Sequence, residues 1–381
     1  MLEPHTMLKH LLYILLFCSF FACSPSHQDT DEQHFHYQTD SLQFAQHFSI
    51  QHANNHTLLT IHNPWHPAEI LGKYYLVNHD SIPTPSDGSK LIVPLQTICI
   101  QSAPHIGYID ALQQTNTVIG ACSPQLFYSP NITQQYNNGT LTPLGDAYQM
   151  QLETITQLAP QVIFTTAYPQ ADKQAERLQT LGIPVIPTVE WTEPNLLARA
   201  EWIKVWGILF NQAARADSIF TATVQAYHYW QHIAQQAKQQ PSIMSGLPYK
   251  DTWYMPGGNS FMGQLFKDAN TAYHYQHTPE QGSLPLSFET VWYHFHNASI
   301  WVGIDADNTQ QLLQMDNRLH KFKAVKNNQL FHYRKRITPQ GGNDFWESAV
   351  VYPDKLLHDL LIVTHPELVP NDTTYYIAPL P

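Results

Sequence analysis

None of the chain's 27 prolines falls between residues 195 and 240, and only one glycine, Gly207, does. Proline and glycine are the residues that most disfavour helix, so this stretch reads as nearly continuous helix, longer than the usual three turns. Its second part, from about Asn211, has no strand to pack with and is expected to be a rigid connector. The same grammar stands on both sides of it: short β-branched runs alternating with amphipathic segments. Before it come "KLIVPLQTICIQ", "TVIGAC", "QVIFTT" and "IPVIPT" as strands, with "APHIGYIDALQQ", "LETITQLAP" and "QADKQAERLQTLG" as helices. After it, strands "PSIMSG", "ASIWVG" and "NQLFHY" alternate with helices "SFMGQLFKDA" and "TQQLLQMD", and a helical "ESAVVYPDKLLHDLLIVTHP" follows. Parallel strands need crossovers, which helices supply. The fold class is therefore α/β: two lobes with mainly parallel sheets, joined by a long backbone helix.

Ahead of the first lobe, residues 41–82 alternate apolar and polar positions, with His-Ala-Asn-Asn-His at 52–56 as a turn. That is the period of a strand, and the segment reads as a small N-terminal β-hairpin element. The expected organisation is a signal peptide at 1–22, a lipidated tether at 23–40, the β element at 41–89, lobe one at 90–193, the connecting helical region at 194–240, and lobe two at 241–370. A hydrophobic fraction of 43% with 13% charged residues suits globular lobes of this size. The net charge of −11 argues against nucleic acid as a partner, because phosphate neutralisation needs clustered Lys and Arg. The 22 His are scattered and read as polar surface.

Lys9 and His10 precede the apolar run "LLYILLFCSFFA", too short to span a membrane but suited to a secretory signal. Phe20-Phe21-Ala22-Cys23 resembles a bacterial lipobox, with Phe20 where Leu is usual. Lipidation of Cys23 is expected, with "SPSHQDTDEQ" as a flexible tether. Cys99 and Cys122 fall on or just after strands separated by one helix. They are expected as neighbours in a parallel sheet, either disulfide-bonded or as two buried thiols.

Two matched pieces carry the most specific signal: Leu152-Glu153-Thr154-Ile155 and Phe288-Glu289-Thr290-Val291. Each sets an acidic residue on a short amphipathic helix ahead of an apolar strand, so the two read as equivalent positions in two lobes. Together with "VPLQTICIQSAPHIGYIDAL", "LGDAYQMQLETITQLAPQVIF", "LGIPVIPT" and "YMPGGNSFMGQLFKDA", they make residues 90–366 resemble the substrate-binding proteins of ABC importers for iron-siderophores and cobalamin. "RAEWIKVWGILF" and "GGNDFWESAVVYPDKLLHDLLIVTHPELVP" resemble a lipoprotein subgroup typical of Bacteroidetes. The resemblance implies a non-enzymatic protein that holds a metal chelate, a ferric siderophore or corrinoid, between its lobes and delivers it to an ABC permease. It implies that Glu153 and Glu289 dock onto permease arginines. It also implies a periplasmic location, lipid-anchored to the cell membrane or outer membrane, with the anchor as the only membrane contact and no cofactor of its own.

Ligands of parallel α/β sheets sit outside the carboxyl ends of the strands. The cleft is thus expected from loops 101–105, 123–128 and 167–168 with Tyr148 in lobe one, and from 247–254, 303–307 and 334–346 in lobe two. Tyr128, Tyr148, Tyr168, Trp253, Tyr254 and Trp346 offer rigid aromatic area for a planar or macrocyclic ligand, with Tyr249 beside them. Arg334, Lys335 and Arg336 form the densest positive run and are expected to hold an anionic chelate or corrinoid phosphate, Arg334 and Arg336 foremost. Gly257-Gly258-Asn259-Ser260 lacks the Lys of a phosphate loop, and Ser260 or Asn259 reads as a helix cap. No His-Glu-x-x-His, Gly-x-Ser-x-Gly or Cys-x-x-Cys is present. The alternative is a direct metal- or haem-binding lipoprotein, periplasmic or surface-exposed. The pairs His34/His36 and His294/His296 do not favour it, whereas His105 in the first cleft loop keeps it open. A helical connector bends little, so closure on ligand is expected to be small.

Overall fold

Residues 35–381 are described in the computed structural model, and Tyr37–Pro381 forms the unit whose parts are taken in turn. The signal peptide and the lipidation at Cys23 lie outside the described residues, as does the tether up to residue 34.

The N-terminal element is larger than a hairpin. Strands β1 (Gln38–Thr39), β2 (Phe48–His52), β3 (Thr57–His62), β4 (Ile70–Val77) and β5 (Ser89–Ile92) form one sheet in that order. The first four are antiparallel and β5 lies parallel to β4. Period-two alternation turns Phe48 and Ile50 inward, as the sequence suggests. "KLIVPLQTICIQ" is not one strand region: Leu91 and Ile92 close this sheet, and lobe one begins only at Ile98. Pro94 stands between them and, lacking an N–H, cannot carry a ladder through. Two buried carboxylates staple the element to the connector. Glu201 accepts the backbone N–H groups of Gln43 (2.9 Å), Phe44 (2.8 Å) and Ala45 (2.9 Å). Glu193 accepts those of Gln46 (3.0 Å) and His47 (3.1 Å), and the Trp202 indole N–H (2.9 Å).

Lobe one comprises β6 (Ile98–Ile100), α1 (Ala103–Ala111), β7 (Val118–Ala121), α2 (Pro130–Asn137), β8 (Thr142–Pro143), β9 (Gly145–Asp146), β10 (Gln149–Met150), α3 (Leu152–Leu158), β11 (Val162–Thr166), α4 (Lys173–Thr180) and β12 (Val185–Thr188). Its sheet runs β12-β11-β6-β7-β8, all parallel. Both faces are covered, which is why Ile98, Cys99 and Ile100 are all apolar and fully buried.

The connector corrects the sequence reading. It is three helices rather than one: α5 (Leu196–Glu201), α6 (Ile203–Leu209) and α7 (Ala213–Ala234). Asn211 takes a left-handed φ of 55° and ends α6. A Cβ on Gly207 would come 2.6 Å from that of Ala216, so the glycine lets α6 fold back against α7. The expected rigid connector is α7 itself, 22 residues and about 33 Å long. Ala216 and Phe220 join the lobe-one core, while Tyr227 and Ala234 join that of lobe two.

Lobe two holds β13 (Ile243–Ser245), β14 (Pro248–Tyr249), β15 (Thr252–Pro256), α8 (Phe261–Asp268), β16 (Ser283–Leu286), α9 (Phe288–Phe295), β17 (Ile300–Val302), α10 (Thr309–Met315), α11 (Lys323–Lys326), β18 (Phe331–His332), α12 (Asp344–Glu347), α13 (Pro353–Thr364) and β19 (Ala378–Pro379). β13 and β17 pair in parallel, and Trp301 bridges on to Leu330. An antiparallel β14-β15-β16 sheet lies beside them. Ser260 caps α8 by accepting the Gly263 N–H at 3.1 Å, as its position before the helix suggests. The lobe runs past residue 370: Tyr376, Ile377 and Leu380 are core residues, and Asp359 accepts the Ile377 N–H at 2.9 Å.

Candidate ligand-binding site

At the carboxyl ends of β6 and β11 lies a cavity of about 410 Å³, lined by Gln101, Ser102, Tyr148, Thr166, Tyr168 and Asp172 among others. Its floor is tied together by amides and hydroxyls. Gln101 donates to the Ala147 carbonyl at 2.7 Å and accepts the Thr166 N–H at 2.6 Å. The Thr166 hydroxyl reaches Ser102 at 3.1 Å. Tyr148 rides on the β9–β10 turn, where Asp146 accepts the N–H groups of Tyr148 (2.8 Å) and Gln149 (2.9 Å). Tyr148 is 84% exposed, and Tyr168 is 47% exposed. Burial first, then the neighbouring Tyr148, holds the Tyr168 phenol above its ordinary pKa. Asp172 is engaged in capping α4. No Lys or Arg is among the described residues lining this cavity.

Of the other expected ligand residues, Tyr128 and Arg336 meet each other. The Arg336 guanidinium lies 4.9 Å over the Tyr128 ring and 4.2 Å over that of Tyr375, and bonds Asp344 at 2.6 Å. Beside it Glu347 accepts the N–H groups of Tyr128 and, at 2.9 Å, Ser129. Burial chiefly pushes the Glu347 carboxyl up to about 8. A Cβ on Gly342 would come 2.5 Å from the Phe127 carbonyl, so the glycine turn is what lets segment 334–347 lie against lobe one. This cluster ties the lobes together.

Arg334 does not present a free charge either. It bonds Asp307 at 2.9 Å and stands 3.6 Å from Asp305. Lys335 donates to Thr374. The basic run reads as a clamp in the sequence because only the folded chain brings Asp307, Asp344 and Thr374 onto it, from 27, 8 and 39 residues away. Trp253 is a further correction: it is 0% exposed, packs 5.4 Å from Trp301, and donates its indole N–H to the Ser245 carbonyl at 3.0 Å. Strand alternation sends Trp253 into the core and leaves Tyr254 half-exposed on the other face. Tyr254 and Trp346 are exposed, and neither lines the tyrosine cavity.

Glu153 and Glu289 both lie in the first turn of their helices, α3 and α9, and both are exposed. Their surroundings differ. Arg318 stands 3.5 Å from Glu289 and 3.7 Å over Phe288, whereas no ion pair is formed by Glu153 among the described residues.

Cys99 and Cys122 sit in and just after neighbouring parallel strands, both buried and unbonded, with burial pushing each thiol up to about 12. His105 lies in the core rather than the cleft. It packs between Phe164 and Trp206 and bonds Thr188 at 3.0 Å. His294 stacks on His274 at 3.8 Å. Among the described residues no group of three or more His, Cys, Asp or Glu is placed to hold a metal ion. No helix among them is long and apolar enough to cross a membrane. Gln101 and Ser102 fall within a loop expected to line the cleft, but aromatic content singled out other residues. Only the strand ending at Ile100 signals them.

The fold and this strand-end cavity define a two-lobed solute receptor. A family profile described as periplasmic binding protein matches residues 126–337, and the chain belongs to that family. The family is a solute-binding, non-enzymatic component of transport that works with ABC permeases. The chain is similar to two lipoproteins of Methanocaldococcus jannaschii, themselves uncharacterized. It is 24% identical to MJ0878 over 323 residues, covering 80% of this chain and 75% of that one. With MJ0872 it is 25% identical over 329 residues, covering 80% and 79%. Among solved structures, a periplasmic heme-binding protein from Pseudomonas aeruginosa shares the fold with a TM-score of 0.58 at 15% identity, covering 75% of this chain and 98% of that one. The triscatecholate siderophore-binding protein FeuA of Bacillus subtilis gives 0.55 at 15%, covering 74% and 98%. The Ni(II)-bound CeuE of Helicobacter pylori gives 0.57 at 12%, covering 77% and 91%.

Proposed function

We propose that this protein binds a metal chelate, a ferric siderophore, haem or corrinoid, against the tyrosine-lined face of lobe one and delivers it to an ABC importer. The observation that carries the reading is the cavity at the strand ends, where exposed Tyr148 and Tyr168 stand over a floor of hydrogen-bonded amides and hydroxyls. Aromatic faces with a few fixed polar groups suit a large flat or macrocyclic cargo. Arg334 and Arg336 are already neutralised by Asp307 and Asp344, so the site favours a chelate without strong negative charge. Glu153 and Glu289 offer one exposed carboxylate per lobe for permease arginines. The lipobox-like segment ending at Cys23 and the lipoprotein names of the relatives support a periplasmic protein held at a membrane by its lipid.

The test is a fluorescence titration of the purified chain with ferric hydroxamates, ferric catecholates, haemin and cyanocobalamin. Saturable one-to-one binding of at least one chelate, with neutral forms favoured over anionic ones, is the expected result. Tight stoichiometric binding of the bare metal ion, with no chelate bound, would overturn the reading.

A further inference from the structure

A second cavity, of about 440 Å³, adjoins the first on its outer side. Tyr168, Gln170, Ala171 and Asp172 line both. Its far wall comes from the N-terminal sheet, from the turn between β3 and β4 that carries Trp65. That turn is built rather than loose. Asn63, nearly buried, accepts the N–H groups of Trp65 (3.0 Å) and His66 (3.1 Å) and donates to Glu69 at 3.3 Å.

The aromatic rings form a row across the boundary. Tyr168 lies 5.5 Å from Trp191, and Trp191 lies 6.1 Å from Trp65. Trp191 is fixed by donating its indole N–H to the Ala167 carbonyl at 3.1 Å. Of the row, Tyr168 and Trp65 line the cavity, with Glu69, Asp172 and Glu176 around them; among the described residues lining it, His66 is the one basic side chain and there is no Lys or Arg. Electron-rich ring faces beside carboxylates attract a positively charged flat group and repel an anion.

We infer that this groove is a second binding site, to which the N-terminal sheet contributes Trp65, for a planar aromatic cation. The site stands on its own lining and does not depend on what the strand-end cavity carries. Continuity through Tyr168 means that one ligand with a cationic aromatic arm can occupy both cavities, or that a separate cation can take the outer one.

Proflavine, a planar aromatic cation, tests this by fluorescence titration of the full chain at physiological salt, with the anion 8-anilinonaphthalene-1-sulfonate as the contrast. The wild type is expected to bind proflavine saturably. Trp65→Ala weakens it about tenfold, and the paired Glu69→Gln and Glu176→Gln substitutions about threefold. Thermal melts show whether Trp65→Ala retains the fold, and the carboxamide pair removes the charge without disturbing the core. The anion is expected not to displace proflavine. The inference falls if the wild type does not bind the cation, if the carboxamide pair binds it as tightly as the wild type, or if the anion displaces it.

Discussion

The two lobes share one strand–helix grammar, yet they present opposite chemistry to a ligand and to a partner. Lobe one leaves its tyrosines open, and no Lys or Arg is among the described residues of the two cavities it lines. Lobe two buries its most promising aromatic, Trp253, and engages Arg334 and Arg336 with its own carboxylates. The two carboxylates proposed to dock on the permease differ in the same sense: Glu289 already has Arg318 beside it, and among the described residues no ion pair engages Glu153. Equivalent backbone positions therefore need not be equivalent in energy. A charge already paired in the free protein has less to gain from a new partner.

The largest effect is expected at the membrane. Replacing both Glu153 and Glu289 with Ala abolishes uptake in a reconstituted importer while ligand affinity stays within about twofold. Singly, Glu153→Ala reduces uptake more than Glu289→Ala. Equal losses would break the asymmetry, and a fall in ligand affinity would assign the pair to the cleft instead.

Trp253 sharpens the contrast between buried and open aromatics. Trp253→Phe lowers the melting temperature, with a cost of roughly 1–3 kcal/mol from lost packing and the lost indole hydrogen bond to Ser245. It leaves chelate affinity unchanged, which a titration beside a thermal melt would check.

The tie between lobes is expected to be pH-sensitive. Burial chiefly raises the Glu347 carboxyl to about 8, so the folded state favours its protonated form. Its stabilising contribution is full below the ordinary carboxylate range and is lost as pH rises through about 8. Relative to Glu347→Gln, which stays neutral, the wild type loses melting temperature between about pH 5 and 8.5. The loss is at most a few kcal/mol, at about 1.4 kcal/mol per pKa unit. A wild-type advantage that grows with pH would contradict the assignment.

The smallest effect is in shape. Because α7 enters both cores, ligand is expected to change the radius of gyration by only a few tenths of an ångström. Scattering curves showing a large contraction would refute this.

Much of the fold was legible in the sequence. The βαβ alternation, the Ser260 cap and the placing of Glu153 and Glu289 on short helices ahead of apolar strands rest on local signals that the fold respects. What was not legible depends on how segments meet in the folded chain, some near in sequence and some far. Helix propensity alone runs through 194–240, but Asn211 and the close approach at Gly207 turn the chain back on itself. The basic run at 334–336 looks free until Asp307, Asp344 and Thr374 meet it. Glu193 and Glu201, the staples of the N-terminal sheet, find their donors about 150 residues away. Trp253 and Tyr254 are adjacent, and only strand pairing decides which of them is buried.

The central claim is that lobe one's open tyrosines hold the cargo while lobe two's arginines do not. A single titration series decides it, comparing wild type, Tyr148→Ala with Tyr168→Ala, and Arg334→Ala against the tightest chelate of the panel. The tyrosine pair is expected to lose at least about tenfold in affinity and Arg334→Ala no more than about twofold. An unchanged tyrosine variant beside a loss of about tenfold at Arg334 would contradict the account.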